Sequence, residues 1–187
     1  MTEFEDLCVR AAADILAGSL ESEPQYSQVG EASWELLSAI NAAGFLTDDS
    51  QSGLDPDERA YVTGVMPTAV ADEFSQRMNM VGDFVALTLE STDRFGNGVP
   101  VTRSSAPYGE FFEDRQTSGA DKYRAQTRIP VYMDEGGHEF TILETGLSSP
   151  ELYRLVAVFD PKWGKPGYED GNLFGAVLEC LKDRVEA

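Results

Sequence analysis

Residues 152–159 read LYRLVAVF, and Arg154 is the only charged side chain in that run. A strand with one wet face alternates polar with apolar. An unbroken apolar strand belongs in the middle of a sheet, with cover above and below. A chain that contains such a strand must build at least one layer against each side of it. The remaining pattern says where those layers come from.

Helical spacing is plain at four places. Thr2 and Glu5 form a T-x-x-E capping box, and Phe4, Leu7, Cys8, Ala11, Ile15 and Leu16 follow at helical intervals over 3–17. A second helix is predicted over 31–43, with Trp34, Leu36, Leu37 and Ile40 inward and Gly44 as its C-cap. Thr68 is expected to cap a third, whose inward face is Val70, Phe74 and Met78. Asn172 is expected to cap a fourth, carrying Leu173, Phe174, Val177, Cys180 and Leu181. Strands are predicted at 44–51, 58–66, 83–90, 99–103, 129–133, 139–144 and 152–159. The first two read as a hairpin, and DEGGH links another. Short links between the later strands favour antiparallel pairing. The expected fold is α+β, a mainly antiparallel sheet of about five to six strands. Two N-terminal helices, one middle helix and one C-terminal helix pack on one face. The expected organisation is one domain over 1–187, an acidic helical part at 1–43 and a sheet-containing part at 44–187.

The charge is lopsided. There are 33 acidic and 14 basic residues, a net of −19. Residues 1–58 hold 13 of the acids against Arg10 alone, a net of −12, which leaves −7 for the rest. Such a surface repels phosphate backbones and anionic lipid and attracts basic protein surfaces. No membrane span of about 18 apolar residues is present, and MTEFEDLC is not the start of a signal peptide. The expectation is a cytoplasmic protein that contacts neither nucleic acid nor membrane directly. Cys8 and Cys180 read as buried thiols on helix faces.

The chemistry-bearing residues are sparse. His138 is the single histidine and adjoins the Gly-Gly turn. No nucleophile motif, phosphate loop or dinucleotide fingerprint occurs. Asp48 begins a run that resembles a calcium loop as far as Gly53, but Pro56 and Arg59 stand where that loop needs ligands. No catalytic set, metal site or cofactor is therefore expected. The segment 103–128 mixes five basic residues with four acids and four aromatics, which reads as a self-paired loop. One polar cluster stands out. The 44–66 hairpin would bring Thr47, Asp48, Ser50 and Gln51 near Arg59 and Tyr61. Arg59 could pair with Asp48 or Asp49, or the group could grip a carboxylate or phosphate. Asp160 and Trp163, in DPKWGKPG, are the outlying candidates.

GFLTDDSQSG, ERAYVTG and VFDPKWGKPG, taken in order, resemble a small uncharacterised family of actinobacteria and their phages. The matching positions are Gly44, Thr47, Ser50 and Gln51, then Arg59 and Gly64, then Asp160, Pro161, Trp163 and Gly164. The resemblance implies a source and raises the same residues as candidates, without implying a reaction. The leading expectation is a non-enzymatic acidic binding protein, in its concrete form a phage accessory protein on a basic host protein surface in the host cytoplasm. The alternatives are a small-ligand or enzymatic site at Ser50, Gln51, Arg59 and Tyr61, and a virion or assembly component.

Overall fold

The computed structural model describes residues 2–17, 31–90, 147–169 and 171–182. The strands expected at 99–103, 129–133 and 139–144, His138 and the basic-aromatic loop lie outside the described residues. Within them, α1 (Glu3–Leu16) and α2 (Glu31–Ala42) precede β1 (Leu46–Gln51) and β2 (Tyr61–Pro67). Then come α3 (Thr68–Met78), β3 (Val85–Glu90), β4 (Tyr153–Phe159) and α4 (Leu173–Lys182). The four described strands form one antiparallel sheet in the order β1-β2-β4-β3. The fold is α+β.

β4 sits between β2 and β3, as its apolar run requires, and it is buried from Leu155 to Phe159. Its side chains alternate between two clusters. Val156 and Val158 join Val62, Met66 and Ala86 under α2, α3 and α4. Leu155, Ala157 and Phe159 join Tyr61, Val65, Val85 and Leu87 on the other side, with Phe4 and Cys8 of α1. The one-sided helical layer expected from the sequence holds for three helices. α1 differs, because Ile15 enters the first cluster while Phe4 and Cys8 enter the second. Phe4 stacks on Tyr153, ring centroids 5.1 Å apart. Arg154, the one charge in the run, reaches Asp72 of α3 at 3.3 Å.

Local chemistry sets the boundaries. The capping box is formed, with the Glu5 amide donating to Thr2 Oγ1 (3.2 Å) and the Thr2 amide to Glu5 Oε2 (2.7 Å). At the end of α2 the Phe45 amide donates to Ile40 and the Gly44 amide to Asn41. These two bonds make a Schellman close, and Gly44 supplies the φ of +94° that it needs. Thr68 does not cap α3. Pro67 holds the cap position without a side-chain hydrogen bond, and Thr68 is already the first helical residue. The hydroxyl lies one position too late to reach back over the first turn.

Two asparagines do work that the sequence reading missed. Asn79 follows α3 and forms a matched pair with Ala86, giving Nδ2–H to its carbonyl (3.0 Å) and taking its N–H on Oδ1 (2.9 Å). Asn41, fully buried, takes the Thr47 N–H on Oδ1 (3.0 Å) and gives Nδ2–H to Thr47 Oγ1 (2.7 Å) and the Leu37 carbonyl (2.9 Å). Both stand at a helix-to-strand junction, NAAGF and NMVGDF, each with a positive-φ glycine before a buried phenylalanine. Each amide takes the place of a sheet partner and fixes where the strand starts.

Gly64 leaves no room for a Cβ. One placed there would meet the Leu46 carbonyl, Thr47 Cα at 2.7 Å and the Phe45 ring at 2.8 Å. Gly64→Ala should therefore push β1 off β2 and cost about 2–3 kcal/mol. Calorimetry should find the unfolding midpoint lower by about 5–10 °C; an unchanged midpoint would contradict the close approach. A second prediction concerns Cys8, a free and buried thiol. Burial first, and then the charge of Glu5, push its thiol from an ordinary 9.0 up to about 12. The unfolded chain releases that proton first, so the stability tied to a protonated Cys8 is complete below pH 9 and drains away as pH rises toward 12. Alkaline denaturation should be shallower in Cys8→Ala than in the native protein; parallel curves would contradict this.

Candidate functional site

The β1–β2 hairpin forms with the predicted pairing, and its register decides which candidates meet. Gln51 pairs with Tyr61, Ser50 with Val62 and Thr47 with Gly64. Paired residues share a face, so Gln51 and Tyr61 lie on the α1 side and Ser50 lies on the opposite side with Val62. Thr47 is at the far end of the strand, held by Asn41. The register skips Asp48, where β1 bulges; its side chain lies outside the described atoms. The six hairpin candidates therefore do not converge on one point.

Two of them, Gln51 and Arg59, meet the two outlying candidates, Asp160 and Trp163, instead. Gly53, at φ +69°, turns the chain out of β1, and a Cβ there would sit 2.5 Å from the Ala60 nitrogen. The loop after β4 then lies along the hairpin mouth through three backbone bonds. The Asp160 N–H donates to Ala60 (2.9 Å), Gly164 to Glu58 (2.8 Å) and Gly167 to Ser52 (2.7 Å). Arg59 is 3% exposed. Its Nε–H donates to the Pro161 carbonyl at 3.0 Å, and its guanidinium carbon lies 4.1 Å from the centre of the Trp163 ring. Gln51 Nε2–H donates to the Arg59 carbonyl at 2.9 Å. Arg59, Gln51, Trp163 and Asp160 thus gather at one seam, 102 residues apart in the case of Arg59 and Pro161. Burial pushes the neighbouring Glu58 carboxyl above its ordinary value, the Asp55 backbone bond opposes this, and the Asp55 charge adds to it.

Beyond the seam the same loop opens into a cleft of about 370 Å³ between the α3–β3 turn, residues 160–169, Gly171 and α4, with Leu36 of α2 also lining it. That volume is at the lower end of ligand pockets. Asp160 lies at its base, 2% exposed, with Oδ1 accepting the Lys162 N–H (2.9 Å) and Oδ2 facing Lys165 Nζ (3.3 Å). Lys162 Nζ meets Asp83 Oδ2 at 2.6 Å, which lowers the Asp83 carboxyl and raises the Lys162 ammonium. That pair is more than half exposed and adds little to stability. Glu169 and Glu179 are exposed on the rim, beside Tyr168. Of these residues the sequence singles out only Asp160, since a cleft built from three separated segments leaves no local period. Among the described residues, no group of three His, Cys, Asp or Glu could hold a metal, and no helix is long and apolar enough to cross a membrane.

An antiparallel sheet layered between helices, with an acid-bearing N-terminal helix and a mixed-charge cleft, places this chain among the α+β domains and points to no particular reaction. It belongs to the family described as Domain of unknown function (DUF6919), whose model matches residues 2–184. Comparison with curated proteins finds no match, and comparison with solved structures finds none.

A prediction follows from the seam. Arg59→Ala and Trp163→Ala should each destabilise the fold, Arg59→Ala more because it leaves the Pro161 carbonyl without its donor, by about 1–3 kcal/mol. In a double-mutant cycle read by urea unfolding the two should couple by about 0.5–2 kcal/mol. Strictly additive losses would show that the stacked contact carries no energy.

Proposed function

We propose that this protein is a non-enzymatic binding module that engages a basic surface on another protein through the acid-bearing face of α1. The observation that carries the reading is the exposure of α1's charges. Glu3, Asp6, Arg10 and Asp14 recur at helical spacing on one outward stripe, and Glu5 is exposed beside it. Arg10 is the one cation among them. Val9 and Leu16 are 52% and 59% exposed on the same helix, which supplies apolar contact beside the charge, as protein interfaces do. The ion pairs Arg77–Glu73, Arg154–Asp72, Lys162–Asp83 and Lys165–Asp160 all lie beyond residue 70 and spend their cations there. Negative potential on α1 would steer a basic partner and make association fall with salt. A phage or actinobacterial accessory protein on a host protein is the concrete form.

The second reading is a small-ligand site at Ser50, Gln51, Arg59 and Tyr61. Its support is that all four are buried near the turn end of the hairpin, Ser50 on the face opposite Gln51 and Tyr61. It is the weaker, because Gln51 and Arg59 already direct donors to the chain's own carbonyls.

The test compares two variants of equal charge change. One carries Glu5→Gln, Asp6→Asn and Asp14→Asn, with glutamine preserving the capping box. The other carries Asp72→Asn, Glu73→Gln and Glu151→Gln. A protein captured from actinobacterial lysate at low salt should be lost with the first variant and kept with the second, and its affinity should fall about tenfold or more on going to physiological salt. Equal loss in both variants, or capture indifferent to salt, would refute the reading.

A further inference from the structure

The cleft between the α3–β3 turn and α4 has features that its structural neighbours do not require. Gly175 lies inside α4, where glycine costs helix stability relative to alanine. Its φ is not positive, and a Cβ built on it meets no atom within 4 Å. Neither backbone conformation nor close packing asks for glycine there. Gly175 lines the cleft, and the space over it is open.

The charges then select what could enter. Four acids and two lysines line the space. Both lysines face a carboxylate of the same chain, Lys162 on Asp83 and Lys165 on Asp160. Among the described residues Glu169 and Glu179 remain as the surplus, and the lining carries a net charge of about −2 at neutral pH. Tyr168 supplies half-buried aromatic surface on the same wall, while the buried Phe84 ring is already faced by Lys165 Nζ, 5.5 Å from its centre. A cation with a flat or extended apolar stem fits this combination of carboxylate and ring. The rim adds an argument for a macromolecule over a free small molecule. Met80 and Val81, at 84% and 40% exposed, stand on the turn at the mouth, and an exposed methionine beside a charged pocket is adaptable contact surface.

We infer that this cleft receives an arginine or lysine side chain projecting from the partner protein, with Glu169 and Glu179 pairing its charge, Tyr168 flanking its stem and Gly175 giving it room. This rests on the basic-partner reading and adds a second contact point, separate from α1.

The probe is a short peptide, acetyl-Gly-Arg-Gly-Arg-Gly-amide, against the same peptide with citrulline in place of arginine, followed by amide NMR spectra of the full chain. The arginine peptide should move the Gly82, Gly171 and Gly175 amides, and the citrulline peptide should leave them in place. Glu169→Gln with Glu179→Gln should weaken binding about fivefold, the worth of two exposed ion pairs. Gly175→Met should abolish it with the unfolding midpoint unchanged or raised. The α1 triple variant should leave the cleft response intact. Equal response to citrulline, shifts confined to α1, or indifference to the glutamate variant would overturn the inference. So would inorganic phosphate, and not the peptide, moving Gly171 and Gly175, since the lysines would then be facing an anion. If the cleft fails while the α1 triple variant still loses its captured protein, this inference alone falls and the basic-partner reading stands.

Discussion

Burial of β4 on both faces is the constraint from which the rest of the structure follows. A strand with no polar face cannot tolerate solvent on either side, so the sheet must be covered twice. Three helices satisfy one side. The second side is closed in part by α1, which reaches it with Phe4 and Cys8 while its other end stays with the helical layer. That arrangement turns the remaining side chains of α1 outward, and four of the eight exposed ones are carboxylates against one cation, Arg10. The acidic surface is thus a consequence of how the second layer is built.

The same logic governs the other end of β4. The strand leaves the sheet at Phe159, and Asp160 begins a loop that must be fixed without strand pairing. It is fixed by backbone bonds to the hairpin mouth and by Arg59 lying against Trp163. An arginine whose Nε is taken by a carbonyl and whose face is taken by an indole is well used as a pin. The loop so held forms one wall of the cleft, so the seam and the cleft are two sides of one segment. Asp160 belongs to both, since its amide bonds the hairpin and its carboxylate meets Lys165.

Much of this was legible in the sequence, for identifiable reasons. The capping box, the Gly44 close, the hairpin and the central strand each depend on residues within a few positions of one another, and all formed as read. Thr68 failed as a cap because the residue before it, Pro67, already occupied that position. The clamps at Asn41 and Asn79 went unseen because an asparagine near a helix end reads as an ordinary terminator. Their signal was the shared order of asparagine, glycine and phenylalanine across two junctions. The partnership of Arg59 with Trp163 could not be read at all. It joins segments 104 positions apart, and local spacing pointed Arg59 toward the nearer Asp48 and Asp49. Ser50 and Gln51 were grouped as neighbours in sequence, yet adjacent strand residues face opposite ways.

The central claim is that β4 is the most protected element of the molecule, because every flank and both faces are covered. Native-state hydrogen exchange tests it most directly. Amides of Leu155 to Val158 should exchange slowest among the described residues, opening only with global unfolding, and those of β1 should exchange faster. Exchange in β4 as fast as in α1, or protection centred on the helical layer with β4 opening early, would contradict the account.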